Sequence, residues 1–546
     1  MKSGTLGNPL LLFVTGVLLA VTQFHRANAQ TEGDLVLPDV NIVGRKRFEF
    51  VLMGEKTLRL HRFKLPAYRS VGAKKPAGPD LLLDISPKRA MPQKQWPGGK
   101  GLFSVRSQLG SFADLHLGAR AGREQGRAGF ALTVGDHTQT PGHTDDSASR
   151  CEAVEALMAY TLPDKGDLSL RIGVEEGETK LWGARPLPQQ RRFRRWETRM
   201  AASLPMSENI SATLGGLLSR DEIENRKTSI RAEETAVRGF GVLYAQQKET
   251  RLRLAATYEG GFLDQRTIES TSHLLGVEAG AERVFGAVSL SGGVRYFYAD
   301  DPSEAAQHLF YPKASVTYTP NPRLEMALAF DPTAVSTTLW KRYQANPFLQ
   351  LGTPSLPNRT ERKPMALSLK FDTRLSETLS GAFRLGYENT EHFPVWTDAD
   401  TNGTWEIMPD REVTHMEASI RMEYEAPPTL LLSSRLTIQR TSFSDTSDGR
   451  VPYTPSFTGR VEGSSEPYSG WGLFLSADVI GARFVEEGSD EKSDPYVLLT
   501  AQLTKEITAH LDAFLRADNL LDQSYALWKD YSMPGIGVSG GLKLAW

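Results

Sequence analysis

Few groups of residues in this sequence have the types and spacing that chemistry requires. The segment "DADTNGTWE" begins like a calcium-binding loop, and the pattern is matched by Asp398, Asp400, Asn402 and Gly403. The closing Glu of such a loop should fall six residues after Gly403, where Pro409 stands instead. An Asx-rich loop tip therefore explains this segment better than a calcium site does.

The segment "PGHTDD" is the strongest hint of catalysis, because it places His143 near the carboxylates of Asp145 and Asp146. No His-x-x-x-His pair accompanies it. Cys151 is the single cysteine, so an intrachain disulfide and a cysteine-based metal site are both excluded. We therefore predict that the protein is not an enzyme and needs no cofactor or metal ion.

The segment "RRFRRW" (Arg191 to Trp196) concentrates four guanidinium groups at the beginning of a predicted strand. Arginine forks match phosphate oxygens in a bidentate geometry, so these residues could contact the phosphates of lipopolysaccharide. Such a contact would serve to anchor a membrane protein and would give no information about a substrate.

The elements that must position these residues are strands. From about Gly101 to the end, segments of period-two alternation recur, as in "TRLRLAATYEGG" and "AVSLSGGVRYFY". After the first thirty residues no stretch reaches the ~18 apolar residues of a membrane helix, so a membrane-spanning form of this chain must be a closed β-barrel.

The connections between these segments favour a barrel over a water-soluble β-sandwich. Short turns such as "TPNPR" alternate with long polar connections such as "SRDEIENRKTSIRAEE". A meander through a membrane gives this alternation, with tight turns at the periplasmic rim and long loops outside. We predict an all-β transmembrane antiparallel barrel of about 22 strands, within a range of 18 to 24, over residues 101–546.

The final strand, within "SMPGIGVSGGLKLAW", has one apolar face and one small or polar face. Leu542, Leu544 and Trp546 fall on the apolar face, and a terminal aromatic residue is the signal that the barrel assembly machinery would recognise. We also predict that several aromatic residues sit in the interface girdle: Trp471, Tyr468, Tyr525, Trp528 and Tyr531.

Residues 1–29 have the layout of a secretory signal peptide: a basic start, an apolar run, and the small residues Ala27 and Ala29 before Gln30. Residues 30–100 form a second unit that is rich in Pro and strongly basic. Between Arg45 and Lys100 there are 14 basic and 4 acidic residues, whereas residues 101–546 carry a net charge of −11. We predict an extended, mostly unstructured periplasmic segment, which is a docking segment, a partial stopper in the acidic barrel, or a solvated linker.

The C-terminal quarter has a distinctive closing pattern, formed by Asn519, Leu520, Asp522, Tyr525, Pro534, Gly535 and Trp546. This pattern resembles that of the TonB-dependent outer-membrane receptors. "YQANPFLQLGTPSLPNRTER" is similar to the Asn-Pro-x-Leu loop that is frequent in these barrels. The family carries a folded plug roughly twice as long as residues 30–100, so the resemblance implies a receptor-like barrel whose plug is absent or much reduced.

The resemblance also implies a place for partner binding. The family's energy-coupling box adds as a strand to a partner's sheet, and the matching positions here are Leu37, Pro38, Asp39, Val40 and Ile42, followed by Arg45, Lys46 and Arg47.

We expect an exported protein of the outer membrane that transports a solute or forms the membrane pore of a multi-protein envelope complex. Two alternatives stay open: a structural barrel that docks periplasmic partners through residues 31–100 without a substrate, and an energised TonB-dependent transporter with a reduced plug. The expected partners are outer-membrane lipid, lipopolysaccharide, the barrel assembly machinery, and a TonB-like energy-coupling protein or another periplasmic protein. Nucleic acid is not expected.

Overall fold

The computed structural model describes residues 102–545, apart from residues 112–113, 126–127, 140–148, 163–165, 182, 185–188, 266–267, 303, 354–359, 399, 409–410, 427–429, 445–448 and 469. The predicted signal peptide (1–29) and the basic segment (30–100) lie outside the described residues.

Strands dominate the described part of the chain. The first half contains β1 (Leu102–Gly110), β2 (Asp114–Gln125), β3 (Ala128–Gln139), β4 (Ser149–Thr161), β5 (Asp167–Leu181), β6 (Gln189–Pro205), β7 (Ile210–Asn225), β8 (Ile230–Gln247), β9 (Thr250–Gln265), β10 (Ile268–Phe285), β11 (Val288–Asp300), β12 (Gln307–Asn321), β13 (Leu324–Phe330) and β14 (Thr333–Ser336). One helix, α1 (Leu339–Ala345), follows.

The second half contains β15 (Thr360–Arg374), β16 (Leu379–Glu391), β17 (Val395–Thr397), β18 (Glu406–Met408), β19 (Val413–Ala426), β20 (Leu430–Phe443), β21 (Phe457–Tyr468), β22 (Trp471–Ile480), β23 (Arg483–Phe484), β24 (Lys492–Ser493), β25 (Tyr496–Thr508), β26 (Leu511–Asp518), β27 (Ala526–Trp528), β28 (Tyr531–Ser532) and β29 (Gly537–Ala545). In the part of the chain that the structure describes, no helix is long and apolar enough to cross a membrane.

The main sheet is an antiparallel meander that closes on itself. It contains 23 strands, and β1 pairs with β29 from Ser104 opposite Ala545 to Gly110 opposite Ser539. Because β13 and β14 both pair with β15, they are two pieces of one wall strand. We call each strand of the barrel wall a stave, and the barrel has 22 staves. The predicted strand number and fold class are confirmed. The remaining short strands form three hairpins, β17–β18, β23–β24 and β27–β28, inside long connections.

Alternation along the staves separates an apolar outer face from a more polar inner face. On β9, Leu252 and Leu254 face outward and are 51% and 53% exposed. Ala255, the next residue, faces inward and is 4% exposed. Large apolar side chains are exposed in the same alternating way on strands all around the barrel. Such a surface would be a liability in water, and it is what the hydrocarbon core of a bilayer requires.

Some strands continue past the length that a bilayer needs, and this corrects the predicted loop lengths. The segment "SRDEIENRKTSIRAEE" was expected to be a long loop, but β7 and β8 run through it and are joined by residues 226–229 alone. They have 16 and 18 residues, and about 9 to 11 suffice to cross the membrane. The extension is held by cross-strand ion pairs, such as Arg231 to Glu222 at 3.2 Å. Charged residues therefore marked a strand in a polar environment instead of a loop.

The long connection after β14 begins and ends at neighbouring points of the barrel wall. Ser336, the last residue of β14, is paired with Thr360, the first residue of β15. Residues 337–353, which we call the inward loop, are described in full, and they carry the candidate functional site.

Candidate functional site at the barrel mouth

The inward loop folds into the barrel instead of standing above it. Its helix α1 begins after Thr338, whose hydroxyl accepts a hydrogen bond from the Lys341 N–H as an N-cap. Leu339, Trp340 and Tyr343 are buried. They form one apolar cluster with side chains on the inner faces of four staves, β6 to β9: Phe193, Ile223, Ala232 and Leu263. The helix thus covers part of the inner wall at the rim that carries the long connections.

Buried polar side chains of the wall fix the backbone of the inward loop. The Glu234 carboxylate accepts the N–H of Leu339 at 2.6 Å. The Gln265 amide donates to the Thr353 carbonyl at 2.8 Å and accepts the Gly352 N–H at 3.1 Å. Both side chains are fully buried. A buried backbone group that loses its partner costs free energy, so these anchors hold the loop in one position.

Arg191 is a third anchor, and it joins the inward loop to two staves. Its guanidinium donates to the Pro347 carbonyl at 2.6 Å and to the Asn225 side-chain oxygen at 2.8 Å. Charge-assisted hydrogen bonds of this kind are stronger than neutral ones. The anchors therefore come from β6, β8 and β9, which are not adjacent in sequence to the loop they hold.

An aromatic cluster joins the inward loop to three other connections. It contains Phe348, Trp405, Tyr453, Trp528 and Tyr531, all buried. Phe348 stacks on Tyr531 with ring centroids 3.6 Å apart, and Tyr453 lies 4.3 Å from Trp528. Burial raises the pKa of Tyr453 to about 12 and raises the pKa of Tyr531 further above its ordinary range. The phenols therefore stay neutral at physiological pH, and Tyr531 donates a hydrogen bond to the Gly403 carbonyl at 2.7 Å.

This cluster corrects the predicted interface girdle. Trp528 and Tyr531 were expected to face the head groups, but they are packed inside the cluster, because their β27–β28 hairpin folds over the mouth. Trp471 is half-exposed, and the Lys505 ammonium lies 4.8 Å from its ring centroid. Tyr525 packs against Tyr496 with centroids 4.6 Å apart. The side chain of Tyr468 is not among those described.

Aromatic side chains that sequence reasoning missed occupy the outer faces of β9 to β12. The Tyr258 hydroxyl and His273 Nδ1 are 3.0 Å apart, and the Tyr296 hydroxyl and His308 Nδ1 are 2.6 Å apart. Phe310 packs against Tyr296. The alternating aromatics in "VRYFYAD" and "QHLFYP" were the available signal, since every second residue lies on one face of a strand.

The segment that resembles a calcium loop is closed by its own backbone. The two Asp398 carboxylate oxygens accept the N–H groups of Asn402 and Gly403, both at 3.0 Å. Burial raises the pKa of Asp398, and the nearby Asp530 and Asp400 raise it further. Gly403 has a φ of 74°, in the left-handed region that favours glycine. The loop is thus an Asx-rich tip in which backbone amides occupy the carboxylate of Asp398.

The arginines of "RRFRRW" divide between the two faces of β6. Arg192 and Arg194 bind Glu176 of β5, Arg194 at 3.1 Å. Arg195 lies on the other face and binds Asp221 of β7 at 2.9 Å. Strand alternation therefore splits what the sequence presented as one basic patch, and Arg191 anchors the inward loop instead of facing lipid.

The remaining predicted residues fall as follows. Leu542 and Leu544 lie on β29, where Leu542 is 48% exposed on the outer face. The predicted partner-binding residues lie outside the described residues: Leu37, Pro38, Asp39, Val40, Ile42, Arg45, Lys46 and Arg47. The same holds for the terminal Trp546 and for His143, Asp145 and Asp146 of "PGHTDD".

Comparison with solved structures gives the class of fold. The chain is similar to the FrpB iron transporter from Neisseria meningitidis (F3-3 variant), with a TM-score of 0.66 and 11% identity over 82% of this chain and 81% of that one. It is similar to the copper transporter OprC, with a TM-score of 0.64 and 12% identity over 82% and 80%. It is also similar to the ferric-catecholate import receptor Fiu from E. coli K12, with a TM-score of 0.63 and 11% identity over 82% of each chain.

The barrel therefore has the fold of the TonB-dependent outer-membrane receptors, as the resemblance in sequence implied. At this level of identity the likeness concerns the fold alone. No protein-family model matches the sequence, and neither does any curated protein.

Proposed function

We propose that this protein is a receptor-like barrel of the outer membrane that moves a solute across that membrane, with the inward loop as the gate at its outer mouth. The observation that carries the proposal is the position of this loop: Arg191, Glu234 and Gln265, all fully buried, hold it against the inner wall. A barrel that served only as a membrane anchor would have no need of a loop fastened inside its lumen.

The comparisons support this proposal at the level of transport in general. The three similar structures are an iron transporter, a copper transporter and an import receptor for ferric catecholates. The same proposal includes a non-enzymatic role and export to the outer membrane by the signal peptide. It also includes contacts with lipopolysaccharide and with the barrel assembly machinery. A pore-forming role in a multi-protein envelope complex would use the same gate.

Conductance measurements test the gate. Four forms would be inserted in planar lipid bilayers: the full mature chain, a form without residues 31–100, a form in which residues 337–359 are replaced by a short turn, and the double deletion. The replacement is geometrically possible because Ser336 and Thr360 are paired neighbours. We expect a large, permanent conductance when the inward loop is removed together with residues 31–100. A double deletion that conducts no more than the full chain would refute the proposal that the barrel holds a path for a solute.

The same set separates the two alternatives. If removal of residues 31–100 alone opens the pore, the basic segment is the stopper. If it changes nothing, a pull-down with residues 31–100 as bait tests the docking role. For the energised alternative, Val40→Pro would prevent addition of this segment to a partner's sheet. Growth on limiting iron or cobalamin would then be lost.

A further inference from the structure

A histidine and two carboxylates from separate connections meet where the inward loop returns to the wall. Asp301 and Glu304 belong to the connection between β11 and β12, and His392 follows β16 directly. One ligand atom from each lies within 4.8 Å of the other two. Among the described residues, this is the one group of three His, Cys, Asp or Glu side chains whose ligand atoms lie this close together.

The hydrogen bonds of His392 fix which of its nitrogens can bind a cation. Nδ1 lies 3.2 Å from the Thr360 carbonyl oxygen, which can only accept, so Nδ1 carries the hydrogen. In the neutral ring Nε2 then presents a lone pair, and it lies 2.9 Å from Glu304 Oε1, which is also an acceptor. Two acceptors at this distance need a positive charge between them. Two ligands at about 2.1 Å from one ion are about 3 Å apart at the right angle of an octahedral ion, which fits the observed separation. At the tetrahedral angle that zinc prefers they are about 3.4 Å apart, so a zinc ion would need the two atoms about 0.5 Å farther apart.

The charge around the cluster points the same way. Arg362 lies 3.6 Å from the Asp301 carboxylate, 2.7 Å from Glu304 and 3.9 Å from Glu391. Three carboxylates thus face one guanidinium, which leaves two negative charges beside a neutral His392. A proton on His392 would offset one of these charges, and a divalent cation would offset both.

Thr360 and Arg362 hold the Asp301 carboxylate in place. Asp301 Oδ1 accepts the Thr360 hydroxyl at 3.0 Å and the Thr360 N–H at 3.1 Å, and Oδ2 is 3.2 Å from the same N–H. Asp301 Oδ2 also faces the Arg362 guanidinium at 3.6 Å. A set of one imidazole nitrogen and carboxylate oxygens suits zinc and the divalent first-row transition metals better than magnesium or calcium.

We propose that Asp301, Glu304 and His392 bind a zinc or divalent transition-metal ion that clasps the return of the inward loop. Thr360 is the first residue of β15 after that loop, and its N–H, hydroxyl and carbonyl are all bonded to two of the proposed ligands. A His ligand whose other nitrogen donates to a backbone carbonyl is the usual arrangement in metal sites. The site would stiffen the loop whether or not the barrel transports a solute.

Calorimetric titration of the metal-free full mature chain in detergent with Zn²⁺ tests the site, with Ca²⁺ as the comparison ion. We expect one Zn²⁺ site that Ca²⁺ does not fill, and an affinity at least tenfold weaker in Glu304→Gln and in His392→Ala. The matched control is His415→Ala: His415 Nδ1 is 3.2 Å from the Thr441 hydroxyl and Nε2 is 3.9 Å from a single carboxylate, that of Glu417. This control should bind Zn²⁺ as the parent does.

Two further measurements keep the outcome independent of folding. Co²⁺ should give ligand-field absorption in the parent that Glu304→Gln abolishes, and heat modifiability on gels reports whether each variant keeps its barrel. Hydrogen exchange at residues 360–363 should slow when Zn²⁺ is added. If folded Glu304→Gln and His392→Ala bind Zn²⁺ like the parent, the proposal is overturned. It is equally overturned if exchange at residues 360–363 responds to pH but not to Zn²⁺, since a proton alone would then sit between Glu304 and His392.

Discussion

Removal of one buried amide should loosen the inward loop by a measurable amount. Gln265→Ala deletes the hydrogen bonds to the Thr353 carbonyl and from the Gly352 N–H. A hydrogen bond contributes a net amount of about 1 kcal/mol, so the loss is about 2 kcal/mol in the free energy of opening the loop. Because 1.4 kcal/mol corresponds to a factor of ten, the open population should rise about 30-fold.

Native-state hydrogen exchange measures that population directly. Amides of residues 339–351 exchange through local opening, so their rates should rise about 30-fold in Gln265→Ala, while amides in the middle of β9 should keep their rates. Gln439→Ala is the matched control, because Gln439 is also a buried amide of the wall and bonds a loop carbonyl, that of Pro455, at 3.2 Å.

The control should leave exchange in the inward loop unchanged and raise it near residues 451–456. Equal exchange of residues 339–351 in the parent and in Gln265→Ala would refute the view that wall side chains hold the loop. A rise throughout the barrel in both variants would show global destabilisation instead of a local anchor.

Three other results follow from the geometry. Gly403→Ala should open the connection around residues 398–406, because the new Cβ would collide with the Gly183 carbonyl oxygen at a φ of 74°. Limited proteolysis there should accelerate, and unchanged cleavage would contradict the packing. Leu542→Arg, near the middle of β29, should cost about 2–4 kcal/mol, with slower appearance of the heat-modifiable form. Lys543→Arg, on the other face of β29, should assemble normally. Tyr453 has a pKa raised to about 12, above its unfolded value near 10. Its contribution to stability is therefore complete below about pH 10 and is lost as the pH rises through about 12. Absorbance at about 295 nm should show this late-titrating phenol, and Tyr453→Phe should remove it.

The fold could be predicted from the sequence because a lipid-facing strand leaves a strong local signal. The outward positions Val538 and Leu542 alternate with inward ones on β29, and similar alternation along the chain gave a strand number of about 22. Period two follows from strand geometry alone, so no tertiary information is needed to detect it. The confirmed resemblance in the last hundred residues rested on the same closing strands.

The inward loop could not be predicted in the same way. Its residues Leu339, Trp340 and Tyr343, after the N-cap Thr338, are spaced for a short helix with one apolar face, and that signal was available. The side of the barrel to which the loop folds was not, because it depends on Arg191 and other wall residues that are distant in sequence. Local pattern reports the face of an element, whereas a loop's direction is decided by partners elsewhere.

The candidate metal site illustrates the limit further. Glu304 and His392 are separated by 88 positions in the chain, and neither stands in a ligand motif. Closure of the barrel and its connections brings them within hydrogen-bonding distance. The expectation that no metal would be bound was drawn from cysteine number and local motifs, and such signals do not report a site that two separate connections would assemble.

The pairing of Ser336 with Thr360 also has a consequence for how such proteins change over time. The excursion between them leaves the wall and returns to it at one cross-strand pair, so its length and content are independent of the shear and circumference of the barrel. A lineage could therefore gain, lose or exchange this segment as a cassette in a single genetic event, with the membrane scaffold unaltered. For the same reason, a laboratory could use this position to display a foreign domain inside or above the pore.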